Sequence, residues 1–175
     1  MEIKKNRVGV IDYGFGNIQS VVNALEEVGA STTLVSDSES IFNEGKLVLP
    51  GVGAFSAAMA ELHRRDLVRP IVAMANCGIP ILGICLGMQL LFDEGQEFEK
   101  TKGLGLLDGS VVQLPRTDSN GSFLKSPHIG WAEVSQVGGR DKSVLLHQKK
   151  TKQFYFLMIL NTKVLRLLMY NPECC

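Results

Sequence analysis

The fold is decided by the stretch Ile81-Leu82-Gly83-Ile84-Cys85-Leu86-Gly87, an apolar run that ends in a cysteine between two glycines. The run predicts a strand at residues 81–84 that is buried on both faces, as in a parallel sheet. The Gly-x-Cys-x-Gly pattern, followed by helical periodicity over residues 86–92, indicates a tight strand-to-helix elbow with a nucleophile at its tip. A buried structural cysteine is the alternative, and the strand and helix on the expected sides favour the elbow.

The elbow gives Cys85 its chemistry and explains both glycines. A nucleophile on so tight a turn adopts strained backbone angles, and the residues two before and two after it crowd together, so positions 83 and 87 require glycine. The sulfur then lies at the carboxyl end of the sheet and at a helix amino terminus, whose partial positive charge favours the thiolate. The amide of Leu86 points to where an oxyanion forms.

Strand and helix patterns alternate through the first two-thirds of the chain, which predicts parallel β-α units with right-handed crossovers. Apolar runs predict further strands at residues 8–11, 32–35 and 46–49. Helical periodicity predicts helices at residues 18–28, 54–67 and 70–75. Short strand-like pieces predict an antiparallel extension of the sheet at residues 111–114, 131–134 and 154–156.

Composition argues against several classes of protein. The 175 residues include 18 basic and 18 acidic side chains, and no basic run has interleaved aromatics, so we expect no nucleic-acid partner. We expect no signal peptide and no membrane partner, because no stretch approaches the roughly 20 apolar residues of a membrane span. The four cysteines fit neither a disulfide framework nor a metal site, which predicts no metal, no cofactor and a reducing, cytoplasmic location.

Three other segments are weak signals by themselves. Leu49-Pro50-Gly51-Val52-Gly53-Ala54-Phe55 follows a predicted strand, and its glycines can let a backbone amide face an oxyanion, although a simple chain reversal explains them equally. Asp12-Tyr13-Gly14-Phe15-Gly16-Asn17 lacks the third glycine of a dinucleotide fingerprint, because Gln19 stands there. Pro127-His128-Ile129-Gly130-Trp131 contains the single tryptophan of the chain and is consistent with a packed turn.

Together, these segments resemble the class I glutamine amidotransferases and, within them, the glutaminase subunits of imidazole glycerol phosphate synthase. They occur in the order of that family over residues 8 to 156, with Met88-Gln89-Leu90-Leu91-Phe92 and Gly103-Leu104-Gly105-Leu106 as further matches. The resemblance implies a flavodoxin-like open sheet, mostly parallel, with helices on both faces and an incomplete antiparallel extension. It also implies an amidotransferase domain at residues 1–156 and an atypical tail at residues 157–175.

The resemblance implies roles for individual residues. Cys85 would attack the side-chain amide of glutamine and release ammonia through a glutamyl thioester. The oxyanion hole would come from Leu86 and from the backbone of Gly51, Val52 and Gly53. Gln89 and Glu97 would hold the amino-acid end of the substrate.

The resemblance also implies a heterodimer with a TIM-barrel cyclase, to which ammonia would pass in histidine biosynthesis. Asn17, Trp131 and Tyr155 match family positions at that interface.

The family's catalytic base is absent from this sequence. In the family, a late His-Pro-Glu segment activates the cysteine, but neither His63, His128 nor His147 has an acidic residue two positions on. The nearest counterpart, Asn171-Pro172-Glu173, begins with an asparagine that has no titratable nitrogen. We therefore expect impaired activity, and a lost reading frame, a truncation or a natural variant would each explain a tail without family pattern.

Two other functions remain open at this stage. The same glutaminase half occurs in amidotransferase subunits that feed ammonia to surface-sugar amidination. The missing histidine is also compatible with a non-catalytic binding subunit that regulates a synthase.

Overall fold

The computed structural model describes residues 7–113, 116–117, 119–123, 128–135, 151–158, 160–162 and 169–170. The chain divides into two compact units, Met1–Val111 with Thr162–Cys175, and Val112–Asn161. The described helices are α1 (Ile18–Glu27), α2 (Ser38–Phe42), α3 (Phe55–Arg64), α4 (Val68–Asn76) and α5 (Leu86–Leu90). The described strands are β1 (Arg7–Ile11), β2 (Ser31–Val35), β3 (Leu47–Leu49), β4 (Ile81–Gly83), β5 (Phe92–Gln96), β6 (Lys100–Lys102), β7 (Leu107–Gln113), β8 (His128–Ser135), β9 (Thr151–Met158), β10 (Leu160–Thr162) and β11 (Met169–Tyr170).

The first unit contains the predicted open parallel sheet, with strand order β4-β3-β1-β2. Residue pairs such as Val10 with Leu34 and Val48 with Leu82 fix the parallel register. The chain leaves β1 toward β2 and later crosses back toward β3 and β4, so right-handed crossovers put α1 on one face and α2, α3 and α4 on the other. The predicted fold class, mostly parallel with helices on both faces, is confirmed.

The two faces of this sheet differ in how completely they are covered. Helix α3 buries its apolar side fully, with Phe55, Met59 and Leu62 at most 2% exposed. Helix α1 has no fully buried residue. Its apolar side chains are partly buried against the cluster of Val8, Val10 and Val48, and they are Ile18, Val21, Val22 and Leu25. The face of the sheet that α3 covers is therefore packed more tightly than the face that α1 covers.

The chain after the elbow departs from the predicted helix at residues 86–92. Helix α5 ends at Leu90, and Phe92 begins β5, which pairs antiparallel with β6 and parallel with β7. Two glycines allow β5 and the segment after β6 to pack this closely. A Cβ at Gly95 would lie 2.6 Å from the Phe55 ring, and a Cβ at Gly103 would collide with the Phe92 carbonyl oxygen. Helix α2 was not predicted from the sequence, and it is a short helix that begins with a capping box between Asp37 and Ser40.

The second unit contains an antiparallel pair, β8 and β9, in a two-stranded sheet. The strand pieces predicted at residues 131–134 and 154–156 lie within these two strands. Part of the predicted atypical tail belongs to the first unit, because β11 pairs antiparallel with β4 through Met169 and Leu82. The tail therefore adds a short strand at the β4 edge of the parallel sheet.

A buried ion pair joins β1 to the segment before β3. The Arg7 Nη2 lies 2.9 Å from Glu44 Oε1, and the side chains are 30% and 1% exposed. Arg7 also donates to the Thr33 hydroxyl at 2.6 Å. The other carboxylate oxygen of Glu44, Oε2, has no hydrogen-bond partner among the described residues. Arg7 is thus the described countercharge that keeps this carboxylate inside the fold.

Replacing Arg7 should therefore destabilise the protein more than breaking a surface pair. We expect Arg7→Ala to lower the free energy of unfolding by about 2 kcal/mol, below the range for fully buried pairs because Arg7 is partly solvated. The matched control is Arg64→Ala, which breaks the Glu61 pair at a side chain that is 67% exposed and should lower the stability far less than Arg7→Ala does. Urea unfolding measures both, and equal losses would contradict this account of Glu44.

Candidate active site

Cys85 lies at the tip of a strained turn between β4 and α5. Its backbone angles are φ 55° and ψ −117°, and it is the N-cap residue of α5. Positive φ is unfavourable for a residue with a side chain, and among the described non-glycine residues only Asp66 shares it. The thiol belongs to an exposed, unpaired cysteine. The predicted strand–elbow–helix geometry is confirmed, and it presents sulfur to solvent at the carboxyl end of β4.

Both glycines of the elbow are required by close backbone contacts. A Cβ at Gly83 would collide with the Cα of Met88 and lie 2.9 Å from the carbonyl carbon of Gly87. A Cβ at Gly87 would collide with the carbonyl oxygen of Leu49. The predicted crowding of positions 83 and 87 is therefore present, and it extends to the end of the neighbouring strand.

The segment after β3 lies directly against the elbow. The Ile84 amide donates to the Leu49 carbonyl at 3.0 Å, and the Leu86 amide donates to the Gly51 carbonyl at 3.3 Å. A Cβ at Gly51 would lie 2.7 Å from the Gly87 nitrogen, so this position also requires glycine. Of the four residues predicted for the oxyanion hole, the structure thus places Gly51 against Leu86, whereas Val52 and Gly53 lie next to Phe15.

The amides of Leu86 and Val52 already donate within the chain. Leu86 donates to Gly51, and the Val52 amide donates to the Phe15 carbonyl at 3.2 Å. Gly53 has a φ of +103°, which glycine tolerates. An oxyanion hole built from both amides requires the Gly51–Val52 peptide to rotate, and their predicted role stays a prediction.

The predicted substrate-binding residues lie on α5 and directly after β5. Gln89 is half-buried on α5, one turn after Cys85, where residues four apart share a helix face. The Glu97 carboxylate accepts a hydrogen bond from the Phe55 amide at 3.0 Å. Phe55 begins α3, and its N-cap residue Ala54 provides no side-chain cap, so Glu97 caps the helix from a distant part of the chain. Whether either residue binds substrate remains a prediction.

Tyr13 is a site residue that the sequence analysis missed. Its side chain is 0% exposed, and its hydroxyl donates to the Pro50 carbonyl at 3.0 Å. Its ring stacks on Phe15 with centroids 5.9 Å apart. Burial, and secondarily the charge of a Cys85 thiolate, raise the pKa of Tyr13. The sequence feature that could have indicated this role is a tyrosine, which has an apolar ring and a polar hydroxyl, placed just after a predicted buried strand.

The predicted interface residues are divided between the two units. Asn17 belongs to the first unit, where its side chain caps α1 by accepting a hydrogen bond from the Ser20 amide at 3.4 Å. Trp131 and Tyr155 belong to the second unit, where they are direct register partners in the β8–β9 pair. Their role at an interface stays a prediction.

Only one histidine has a described side chain. His63 is exposed in the last turn of α3, about 12 Å along the helix axis from Phe55, at the opposite end of α3 from the Gly51 segment. His128 lies in β8, and His147 lies outside the described residues.

Within the described part of the chain, no group of three or more His, Cys, Asp or Glu residues is placed to hold a metal ion. None of the helices described has the length and apolar character needed to cross a bilayer.

Comparison with known proteins agrees with this geometry. Residues 9–155 match the sequence profile described as Glutamine amidotransferase class-I. The imidazole glycerol phosphate synthase subunit HisH of Geobacillus sp. (strain WCH70) is 43% identical over 150 residues, which cover 86% of this chain and 70% of that protein. The HisH subunit of Geobacillus kaustophilus is 49% identical over 124 residues, and HisH 1 of Legionella pneumophila is 46% identical over 135 residues. The chain spans 59% and 63% of the lengths of these last two relatives.

Solved structures agree on the fold. A crystal structure of a glutamine amidotransferase superposes with a TM-score of 0.67 at 17% identity, over 90% of this chain and 74% of that one. PurLQS from Thermotoga maritima superposes with a TM-score of 0.59 at 21% identity, over 91% of this chain and 76% of that one. The cysteine elbow, the profile match and the HisH relatives together show that this chain belongs to the class I glutamine amidotransferase family.

Proposed function

We propose that the chain is the glutaminase subunit of an imidazole glycerol phosphate synthase, which releases ammonia from glutamine in the cytoplasm for histidine biosynthesis. The observation that carries this proposal is the exposed thiol of Cys85 at a positive-φ elbow, packed against Leu49 and Gly51. The HisH relatives supply the pathway, because their names place them in that synthase. None of the relatives named above is described as a sugar-amidating subunit.

The chemistry assigned to Cys85 is acyl transfer. Its thiolate attacks the side-chain amide carbon of glutamine, a C–S bond forms, and the carbonyl electron pair moves onto oxygen. Collapse of this intermediate breaks the C–N bond, and the nitrogen leaves as ammonia after it takes up a proton. Water then cleaves the thioester to glutamate and restores the thiol.

The oxyanion is stabilised by backbone amides after a local rearrangement. Rotation of the Gly51–Val52 peptide would free the Leu86 amide from the Gly51 carbonyl and turn the Val52 amide away from Phe15. Glycine at positions 51 and 53 lowers the conformational cost of that rotation. Once both amides face the developing negative charge, such donors typically lower the barrier by several kcal/mol.

Gln89 and Glu97 would orient the substrate. The Glu97 carboxylate offers a counter-charge to the α-ammonium group of glutamine, and the Gln89 amide can bond its carboxylate. Because Glu97 also caps α3 at Phe55, substrate binding and the position of α3 are linked through one side chain. This arrangement would hold the amide of glutamine over the elbow.

The partner is a TIM-barrel cyclase that binds as a heterodimer and receives the ammonia. Asn17, Trp131 and Tyr155 would form part of the contact. The HisH names support a partner subunit, because they describe those relatives as one subunit of a synthase.

The sequence favours one alternative, a non-catalytic binding subunit. No histidine of the chain stands in a His-Pro-Glu segment, and Asn171 at the nearest counterpart cannot accept a proton as a base does. We propose that this polypeptide retains the nucleophile and hydrolyses glutamine poorly, because the thiol proton and the leaving nitrogen both require a base.

Alkylation should distinguish Cys85 from Cys77. Both are exposed, but Cys85 begins helix α5 whereas Cys77 ends helix α4, where the helix dipole opposes negative charge on sulfur. We expect iodoacetamide to modify Cys85 at least about fivefold faster than Cys77 at neutral pH. Peptide mapping by mass spectrometry at short times measures both rates, and faster labelling of Cys77 would contradict the elbow's assigned chemistry.

Glutamate release should be close to background for the chain as it stands. Removal of the base from a nucleophile–base pair typically costs about three or more orders of magnitude in rate. The assay contains the chain, a cyclase subunit and the cyclase's nucleotide substrate, and added ammonium confirms that the cyclase works.

The matched control for this assay is Cys85→Ala. Residual release that disappears in the variant supports the glutaminase assignment, and equal release from both proteins favours the non-catalytic subunit. A robust, Cys85-dependent rate would refute the claim that the activating base is missing.

A further inference from the structure

Tyr13 is a buried phenol behind the Cys85 elbow that the proposed chemistry does not use. Its side chain has no exposed surface, and its ring stacks nearly parallel to Phe15 at an interplanar angle of 11°. Phenylalanine would fill the same space without the hydroxyl. The hydroxyl is therefore the feature that needs explanation, because a buried polar group is costly unless it is hydrogen-bonded.

The hydroxyl and a neighbouring backbone carbonyl hold the two peptides that flank Gly51. Tyr13 donates to the Pro50 carbonyl at 3.0 Å, on the amino side of Gly51. On its carboxyl side, the Val52 amide donates to the Phe15 carbonyl at 3.2 Å. Tyr13 and Phe15 both belong to the turn between β1 and α1, so one short turn fixes Gly51 from both sides.

The hydroxyl also bounds the space in which Gly51 lies. A Cβ at Gly51 would lie 2.7 Å from the Tyr13 hydroxyl oxygen and 2.7 Å from the Gly87 nitrogen. The Gly51 carbonyl in turn accepts the Leu86 amide at 3.3 Å. A continuous set of contacts therefore runs from the Tyr13 hydroxyl through Pro50 and Gly51 to the first residue of α5. Because its pKa is raised by burial, Tyr13 remains a donor at every ordinary pH.

We propose that Tyr13 is a positioning residue of the Cys85 centre, whose hydroxyl fixes the Pro50 carbonyl and thereby the resting orientation of the Gly51–Val52 peptide, from which the proposed rotation frees the Leu86 amide. The importance of this role for catalysis rests on the proposed glutaminase function. The positional claim rests on hydrogen bonds alone. It can therefore be tested without any turnover, and its failure is distinguishable from failure of the proposed function.

The test is residue-resolved amide hydrogen exchange on the full chain, comparing the unmodified protein with Tyr13→Phe. In the unmodified protein, the Leu86 and Val52 amides should exchange at least about tenfold more slowly than in an unstructured peptide. In Tyr13→Phe, both amides should exchange about tenfold faster, the size expected for the loss of one hydrogen bond. The amides of α4, to which no described hydrogen bond runs from this turn, should exchange at unchanged rates.

The control is Ile71→Ala, which removes a fully buried apolar side chain from α4 and none of the described hydrogen bonds at Pro50 or Val52. It should accelerate exchange of globally protected amides without a selective effect at Leu86 and Val52. The proposal is overturned if Tyr13→Phe leaves those two amides unchanged or accelerates all amides equally, as a purely stabilising residue would. If Tyr13→Phe fails to fold, unprotected Leu86 and Val52 amides in the unmodified chain still overturn it.

Discussion

The backbone of Gly87 packs against the carbonyl group of Leu49 with no space for a side chain between them. This contact brings the first turn of α5 onto the end of β3, and the amides of Ile84 and Leu86 then reach the carbonyls of Leu49 and Gly51. Parallel strands β3 and β4 supply the alignment, because Leu49 and Gly83 are register partners at their carboxyl ends. The positive φ of Cys85 follows, since the chain must reverse within one residue to begin α5 there.

The sequence was most informative where the relevant forces are local. Apolar runs and glycine spacing predicted the parallel strands and the Cys85 elbow, because each depends on a few adjacent residues. The start of β5 at Phe92 was predicted as helix, because its backbone is fixed by distant packing of Gly95 on Phe55 and of Gly103 on Phe92. The helix-capping contact of Glu97 and the hydroxyl contact of Tyr13 span 42 and 37 residues, and no local pattern encodes such separations.

The nucleophile and its activation depend on different parts of the chain. The elbow and the Gly51 segment lie within the first unit, between β3 and α5. Under the proposed function, the base would come from a late segment, at which this sequence has Asn171-Pro172-Glu173. Under the proposed function, such a chain would retain the fold and the thiol and lose proton transfer, so thiol reactivity and glutamine turnover would differ.

The dependence of the elbow on the contact between Gly87 and Leu49 is tested most directly by the free energies of unfolding of Gly87→Ala and Gly29→Ala. Gly29 has a φ of +82° with nothing within 4 Å of an added Cβ, so its substitution should cost only about 1 kcal/mol of conformational strain. An added Cβ at Gly87 meets the Leu49 carbonyl oxygen, and we predict a loss of at least about 3 kcal/mol, or failure to fold. A Gly87→Ala protein within about 1 kcal/mol of the unmodified chain would show that the elbow does not depend on this contact.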